Sequence, residues 1–197
     1  NKAHHTSTGF KNPYLKKDNQ GKSFSDLFKM MTTERPNPKL KKGKSLSIDS
    51  ITQKINSNNN FITWIGHSTM LLHINGNTIL TDPIFSDRCS PFQFLGPKRY
   101  SYPSIDIQSL PKIDLVVISH NHYDHLDKNS VKILGKDSLT VWYVPLGLKI
   151  WFDRLNINNV IELDWFEERK QDNVEIICLP SQHWSKRSLF KSFETLW

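Results

Sequence analysis

The stretch VVISHNHYDHLD, residues 116–127, constrains this chain more than any other part of the sequence. The apolar, β-branched run IDLVVIS (113–119) ends directly before three histidines and two aspartates. An apolar run of this length predicts a strand that is buried on both faces, as in a parallel sheet. The sequence therefore predicts that a buried strand delivers a group of ligating side chains to one edge of a sheet.

The ligating group has the pattern H-x-H-x-D-H, formed by His120, His122, Asp124 and His125. Residues two apart in extended backbone point the same way, so His120 and His122 should converge on one point. Asp124 and His125 should face a second point. Imidazole nitrogen with carboxylate oxygen suits zinc, and suits iron or manganese less well. Two such ions about 3.5–4 Å apart can activate water against a phosphoryl or carbonyl group.

One more histidine follows a second predicted strand. Residues 173–180 have strand character, and His183 comes next in LPSQHW, so we expect it to complete the first metal position. We expect His67, in IGHST, to lie beside the ligands rather than among them. His73 should have no part in the site, and His4 and His5 should bind metal only adventitiously.

The remaining patterns predict an α/β domain in which strands outnumber helices. Asn75-Gly76 predicts a hairpin within 69–82, and Asp127 and Gly135 predict the start and stop of a helix over 127–135. A long Pro- and Ser-rich loop, 83–112, is typical of a functional segment. Further strands are predicted over 61–66, 139–145, 159–163 and 193–197, and further helices over 23–31 and 146–155.

Charge divides the chain unevenly. Residues 1–60 hold twelve Lys and Arg against four Asp and Glu, whereas residues 61–197 hold fourteen against fifteen. This division predicts a basic N-terminal extension, 1–60, followed by a hydrolase domain, 61–197. We favour a solvated lead-in for the extension. The open alternative is peripheral contact with anionic lipid or with nucleic acid.

The sequence predicts a cytoplasmic protein or one at a membrane surface. No run of 18 apolar residues is visible, and the first twenty residues are polar. The chain opens on Asn, so we expect its true start to be missing. Cys89 and Cys178 have no tight spacing, which favours free thiols in a reducing compartment.

Several of these motifs resemble the metallo-β-lactamase superfamily, whose hallmark is H-x-H-x-D-H. The segments TWIGHSTMLL, TDPIFSDRCSPFQFLGPKRY, WYVPLGL and PSQHWSKR are similar to the N-acylphosphatidylethanolamine-hydrolysing phospholipase D family and its bacterial relatives. The resemblance extends from Thr63 to Arg187 and is loose over residues 1–60.

The resemblance implies an αββα sandwich with two zinc ions at its edge. His120, His122 and His183 would bind the first zinc, and Asp124 and His125 the second. The family also uses a bridging aspartate in a GDTGY-like motif and a later histidine, and neither motif occurs in this sequence. We therefore expect only the N-terminal portion of the sandwich, truncated at its C-terminus and incomplete for activity.

The implied activity is phospholipase D-type hydrolysis of N-acylphosphatidylethanolamine-like phospholipids by a dinuclear zinc-bound hydroxide. Asp124 is a candidate both as a ligand and as the catalytic group that orients the hydroxide. The candidate substrate contacts are Tyr123, Gln93, Phe94 and Arg187. Three alternatives stay open: hydrolysis of another phosphodiester or ester, an RNA-processing nuclease, and an inactive fragment or interaction module. The near-neutral domain disfavours nucleic acid, and the sequence gives no oligomeric state.

Overall fold

The computed structural model describes residues 2–14, 45–187 and 193–197. The predicted helix over 23–31 lies outside these residues. The helices and strands, in chain order, are β1 (His5–Thr6), β2 (Gly9–Phe10), α1 (Ile48–Asn56), β3 (Phe61–Gly66), β4 (Thr69–Ile74), β5 (Asn77–Thr81), β6 (Leu115–Val117), α2 (Lys128–Leu134), β7 (Val141–Pro145), α3 (Lys149–Asp153), β8 (Val160–Leu163), β9 (Glu168–Gln171) and β10 (Val174–Ile177).

A six-stranded mixed sheet in the order β3-β4-β5-β6-β7-β8 organises the domain. The first three strands form an antiparallel meander, and β5 to β8 are parallel. Because β3 runs in the same direction as β5, the carboxyl ends of β3, β5, β6, β7 and β8 lie at one edge. Residues that directly follow these strands are therefore brought together in space.

Alternating side chains give the sheet two apolar faces. One face packs against α1, α2 and α3, and Leu71, Leu80, Val116 and Trp142 on this face are fully buried. The opposite face carries Leu115 and Tyr143 and is covered in part by the β9–β10 hairpin. Both faces of β6 are thus apolar, which is the reason that its sequence is a continuous apolar run.

Most of the predicted elements, and the α/β fold class, are confirmed. The hairpin turns at Asn75-Gly76, and both residues adopt positive φ, as a type I′ turn requires. Helix α2 begins after Asp127, whose carboxylate accepts a hydrogen bond from the Asn129 amide, and it ends at Gly135. The loop 83–112 contains one short 3₁₀ turn, Ile107–Ser109, and an isolated antiparallel bridge between Arg88 and Lys98.

Other expectations were wrong. Residues 193–197 form bends and coil, because they pack around Trp165 rather than pairing with a strand. The helix predicted over 146–155 is confined to Lys149–Asp153. The helix α1 and the strand β9 were not predicted. The signal for α1 is Ser47, whose hydroxyl caps the Ser50 amide and precedes an apolar spacing that buries Ile51.

The described N-terminal residues pack against the domain. His4 and His5 donate to the two carboxylate oxygens of Asp164, at 2.6 and 2.9 Å, and Lys2 Nζ lies 2.9 Å from the same group. The Phe10 amide donates to the Phe193 carbonyl at 2.8 Å. Residues 2–14 therefore contribute to the folded surface, while the boundary predicted at residue 60 stays a prediction.

Asp164 gives this packing a charge component. Burial would raise the pKa of its carboxyl, but hydrogen bonds from His4, Lys2 and the Trp165 amide outweigh burial and lower that pKa. A carboxyl whose pKa is lower in the folded than in the unfolded state stabilises the fold at pH values above its unfolded pKa. This stabilisation is lost as pH falls through the folded pKa. The contacts of Lys2, His4 and His5 with Asp164 should therefore weaken only under strongly acidic conditions, when this carboxyl becomes protonated.

Within residues 2–14, 45–187 and 193–197, no helix combines the length and the apolar character that a bilayer crossing requires.

The buried aromatic residue of α3 provides a test of this core. Phe152 is fully buried beside Trp142, so Phe152→Ala should lower the free energy of unfolding by about 3–5 kcal/mol. The matched control is Phe94→Ala, because the Phe94 side chain is 80% exposed. Urea unfolding followed by circular dichroism measures both changes, and equal losses in the two variants would contradict the assigned core.

Candidate metal centre

The end of strand β6 and one later segment bring the predicted ligands together. β6 ends at Val117, and residues 120–126, here called the metal loop, follow it over the sheet edge. The metal loop closes with one helical turn, in which the His122 carbonyl accepts from the Leu126 amide at 2.8 Å. His183 reaches the same place from the segment that follows β10. That strand pairs with β9 rather than with the main sheet, and it is only partly buried.

The first candidate position is a triangle of ring nitrogens. His120 Nε2, His122 Nδ1 and His183 Nε2 are mutually 2.9, 3.0 and 3.1 Å apart. An imidazole nitrogen either donates a proton or accepts one. Three nitrogens in mutual contact therefore always leave one pair mismatched, so hydrogen bonding alone cannot satisfy the triangle. A cation that takes all three lone pairs can satisfy it.

The spacing also fits a transition metal. Tetrahedral zinc with Zn–N bonds of about 2.0–2.1 Å requires ligand nitrogens roughly 3.3 Å apart. Burial and the neighbouring imidazoles lower the pKa of His120 to about 2 and that of His122 to about 4, and burial also lowers the pKa of His183. All three rings are therefore neutral near pH 7, the state in which imidazole is a ligand.

A second, more open group lies beside the triangle. His67 Nε2 is 3.3 Å from Asp124 Oδ2, and His125 Nε2 is 3.9 Å from the same oxygen. These three residues offer ligand atoms within 4.8 Å of one another. The His67 side chain is half exposed, so this group faces solvent. The structure thus brings Asp124 and His125 together with His67, and their role as ligands of a second metal stays a prediction.

His67 is held at the site by its backbone. It follows β3 with a φ of +49°, a left-handed conformation that is uncommon for a residue with a side chain. The Trp64 indole donates to the His67 carbonyl at 2.9 Å, and the neighbouring Ser68 hydroxyl donates to the Asp124 carbonyl at 3.2 Å. These bonds keep the β3–β4 turn against the metal loop.

Asp82 is the main site residue that sequence reasoning missed. Its buried carboxylate accepts from His125 Nδ1 at 2.8 Å and from the Ser119 amide and hydroxyl at 2.7 Å each. Ser119 Oγ in turn lies 2.9 Å from His120 Nδ1. These bonds use the Nδ1 atoms of His120 and His125 and leave both Nε2 atoms free for a metal. The available signal was the position of Asp82, directly after β5.

Asp82 also raises the pKa of His125. Burial would lower the pKa of His125, but the hydrogen bond and the negative charge of Asp82 outweigh burial and raise that pKa. A carboxylate behind an imidazole makes the ring a more basic ligand, which is a common arrangement in metal sites.

A second His/Asp group, formed by His4, His5 and Asp164, differs from the metal centre in kind. Its contacts join ring nitrogens to carboxylate oxygens, so each donor already has an acceptor. Lys2 supplies positive charge to the same carboxylate. Hydrogen bonds and the ion pair with Lys2 therefore account for this group without a metal ion.

Three of the four predicted substrate contacts line a cavity next to the metal loop. The cavity, of about 250 Å³, is lined in part by Gln93, Tyr123 and Arg187. Gln93 pairs its side-chain amide with the backbone of Arg88, at 3.2 and 3.1 Å, which shapes the loop tip. The fourth, Phe94, is 80% exposed, and its ring lies tilted beside that of Phe92 with centroids 5.4 Å apart. The substrate roles of these residues stay predictions.

A comparison with protein families finds that a model described as "Beta-lactamase superfamily domain" matches residues 77–197. The phospholipase D 1 of Caenorhabditis elegans that hydrolyses N-acyl-phosphatidylethanolamine is 42% identical over 147 residues, covering 70% of this chain and 41% of that protein. The mitochondrial enzyme of the same name from Saccharomyces cerevisiae is 41% identical over 140 residues, covering 68% and 30%.

An uncharacterised protein of Mycobacterium tuberculosis is 41% identical over 138 residues, covering 69% of this chain and 37% of its own length. This chain thus spans 30–41% of the length of these three relatives. Among solved structures, Igni18, a metallo hydrolase from Ignicoccus hospitalis, is similar with a TM-score of 0.49 and 22% identity, covering 68% of this chain and 52% of that one.

The role of Asp82 can be tested by removing its charge. Asp82→Asn should weaken binding of the first metal equivalent by about 10–100-fold, because His120 and His125 would lose the group that fixes their tautomers. Competition with a chromogenic chelator measures this affinity. The matched control is Asp153→Asn, at an exposed residue that pairs only with Lys149 within the described part of the chain. Unchanged affinity in Asp82→Asn would contradict the assigned role.

Proposed function

Because the chain belongs to the metallo-β-lactamase superfamily, we propose that it acts as a zinc-dependent phosphodiesterase of the phospholipase D type. The proposed substrates are N-acylphosphatidylethanolamine-like phospholipids. The observation that carries the proposal is the triangle of His120, His122 and His183 nitrogens, whose mutual contacts a metal ion can satisfy and hydrogen bonds alone cannot. The names of the worm and yeast relatives support the substrate class.

The residues divide into two metal positions. His120, His122 and His183 would hold the first zinc, and Asp124 and His125 would contribute to the second. Bound zinc would supply Lewis acidity, which activates water and neutralises charge on phosphoryl oxygens. Iron or manganese in the same ligands would supply similar chemistry.

The protein's own groups have defined tasks in this proposal. Asp82 and Ser119 fix the ring orientation of His120 and His125, so that both rings present Nε2 to the site. Asp124 has an oxygen turned towards His67 and His125 on the open side, where it can orient the attacking water. The His67 side chain is half exposed on this open side, so we expect substrate to approach from it.

The long loop supports a lipid substrate. Phe92, Phe94 and Leu95 lie close together in the tip of this loop and are between 54% and 80% exposed, on the segment that borders the cavity at Gln93. Exposed apolar side chains grouped in this way are typical of interaction surfaces. In a phospholipase, such apolar side chains are suited to contact the acyl chains of the substrate.

The proposed partner is therefore a phospholipid surface, with the protein in the cytoplasm or at a membrane. Peripheral contact through the basic N-terminal segment is part of the proposal, although residues 15–44 of this segment lie outside the described structure. The near-neutral charge of residues 61–197 gives little support for a nucleic-acid substrate.

A substrate panel tests the proposed activity. The complete protein, reconstituted with zinc, should release phosphatidic acid from N-acylphosphatidylethanolamine faster than it cleaves bis(p-nitrophenyl) phosphate or a single-stranded RNA. Faster cleavage of the simple diester would favour a different phosphodiester substrate. Preference for RNA would overturn the lipid assignment.

His122→Ala provides the matching test of the site. The substitution removes one corner of the nitrogen triangle, so hydrolysis should fall by at least about 10³-fold, on the scale of lost metal chemistry. His73→Gln serves as the control, because His73 lies towards the opposite end of β4 and bonds to Thr78 and Asn58. Initial rates at saturating zinc measure both variants. Wild-type turnover in His122→Ala would place the active site elsewhere.

A further inference from the structure

One guanidinium connects the two ends of the metal loop. Arg187 Nη1 donates to the Asn121 carbonyl at 3.0 Å and to the Leu126 carbonyl at 2.8 Å. These carbonyls lie on either side of three of the four predicted ligands in the metal loop, His122, Asp124 and His125. A single side chain therefore fixes the width of the loop that presents the ligands.

Two aromatic rings hold this guanidinium in place. Arg187 Cζ lies 4.3 Å from the ring centroid of Tyr123 and 4.9 Å from that of Trp151, within the range of cation–π contacts. The Tyr123 hydroxyl donates back to the Arg187 carbonyl at 3.0 Å. Trp151 belongs to α3 and contacts the buried Phe152, so the stack is anchored to the core.

Because Arg187 is charged, its side chain and the conformation of the metal loop depend on each other. Burial lowers the pKa of its guanidinium to about 10, so the group is still charged near neutrality. Among residues 2–14, 45–187 and 193–197, no carboxylate lies within salt-bridge distance of it. Burying a charged guanidinium without hydrogen-bond acceptors costs free energy. The loop conformation in which the Asn121 and Leu126 carbonyls both accept from Arg187 is therefore favoured.

The position of Arg187 in the chain links the loop to the third ligand. His183 lies only four residues earlier, and its Nε2 is 3.0 Å from His120 Nε2. The segment 183–187 thus places one residue in the nitrogen triangle and another across the ends of the metal loop. Movement of this segment would displace His183 and release the loop together.

We propose that Arg187 is a positioning residue that holds His183 in register with the metal loop and thereby pre-organises the first metal position. This inference rests on the proposed metal site. It differs from the substrate contact that the sequence predicted for Arg187, since Nη1 donates to two carbonyls of the protein itself. A pre-formed triangle requires little reorganisation when metal binds, so loss of Arg187 should appear mainly as weaker metal binding.

Cobalt titration of the intact metal-free protein tests the inference. Arg187→Gln should bind Co²⁺ about 10–100-fold more weakly than wild type, with altered visible absorption bands, because the three imidazoles no longer meet in one geometry. Arg187→Lys keeps the charge but not the planar fork, so it should recover only part of the affinity. Tyr123→Phe, which removes the bond to the Arg187 carbonyl, should give a smaller loss.

Arg169→Gln is the matched control, because Arg169 is an exposed residue of β9 whose guanidinium bonds only the adjacent Glu168 carbonyl within the described structure. Wild-type affinity and spectrum in folded Arg187→Gln would overturn the inference. If Arg187→Gln does not fold, wild-type affinity and spectrum in Arg187→Lys would overturn it instead. Failure of the wild-type protein to bind Co²⁺ would refute the proposed metal site itself, which separates the two failures.

Discussion

Three imidazole nitrogens in mutual contact cannot all be paired by hydrogen bonds, and this constraint organises the functional half of the structure. Each nitrogen of the triangle is either a donor or an acceptor, so one of the three contacts is always mismatched. Burial keeps the rings of His120 and His122 neutral and makes the mismatch costly. A bound cation resolves it, which is why the triangle, rather than the His4–His5–Asp164 group, is interpreted as the metal centre.

The pairing of strands in the main sheet positions the residues that support the metal centre. Parallel strands β5 and β6 end side by side, so Asp82 and Ser119 meet directly behind His120 and His125. The metal loop then turns over the edge and returns to the core at α2, whose cap Asp127 also accepts from the Ser86 amide and hydroxyl at the start of the long loop. The site and the loop that borders the cavity are consequently joined through the same carboxylate.

The sequence predicts the strands and the ligand cluster because both depend on local patterns. The apolar run of β6 and the spacing of His120, His122, Asp124 and His125 are visible without any tertiary information. The role of Asp82 is not visible in this way, because it arises from the pairing of β5 with β6 across 37 residues. The packing of His4 and His5 on Asp164 depends on contacts about 160 residues apart, which no local charge pattern indicates. Residues 193–197 have strand-like composition, but packing around Trp165 overrides it.

The most direct test of this account is X-ray absorption spectroscopy of the intact protein after reconstitution with one equivalent of Zn²⁺. The account predicts a first shell with at least three imidazole nitrogens at about 2.0–2.1 Å, and a marked loss of that imidazole scattering in His183→Ala. A protein that remains folded but retains no zinc would contradict the central claim. So would a zinc shell that is unchanged when His183 is removed.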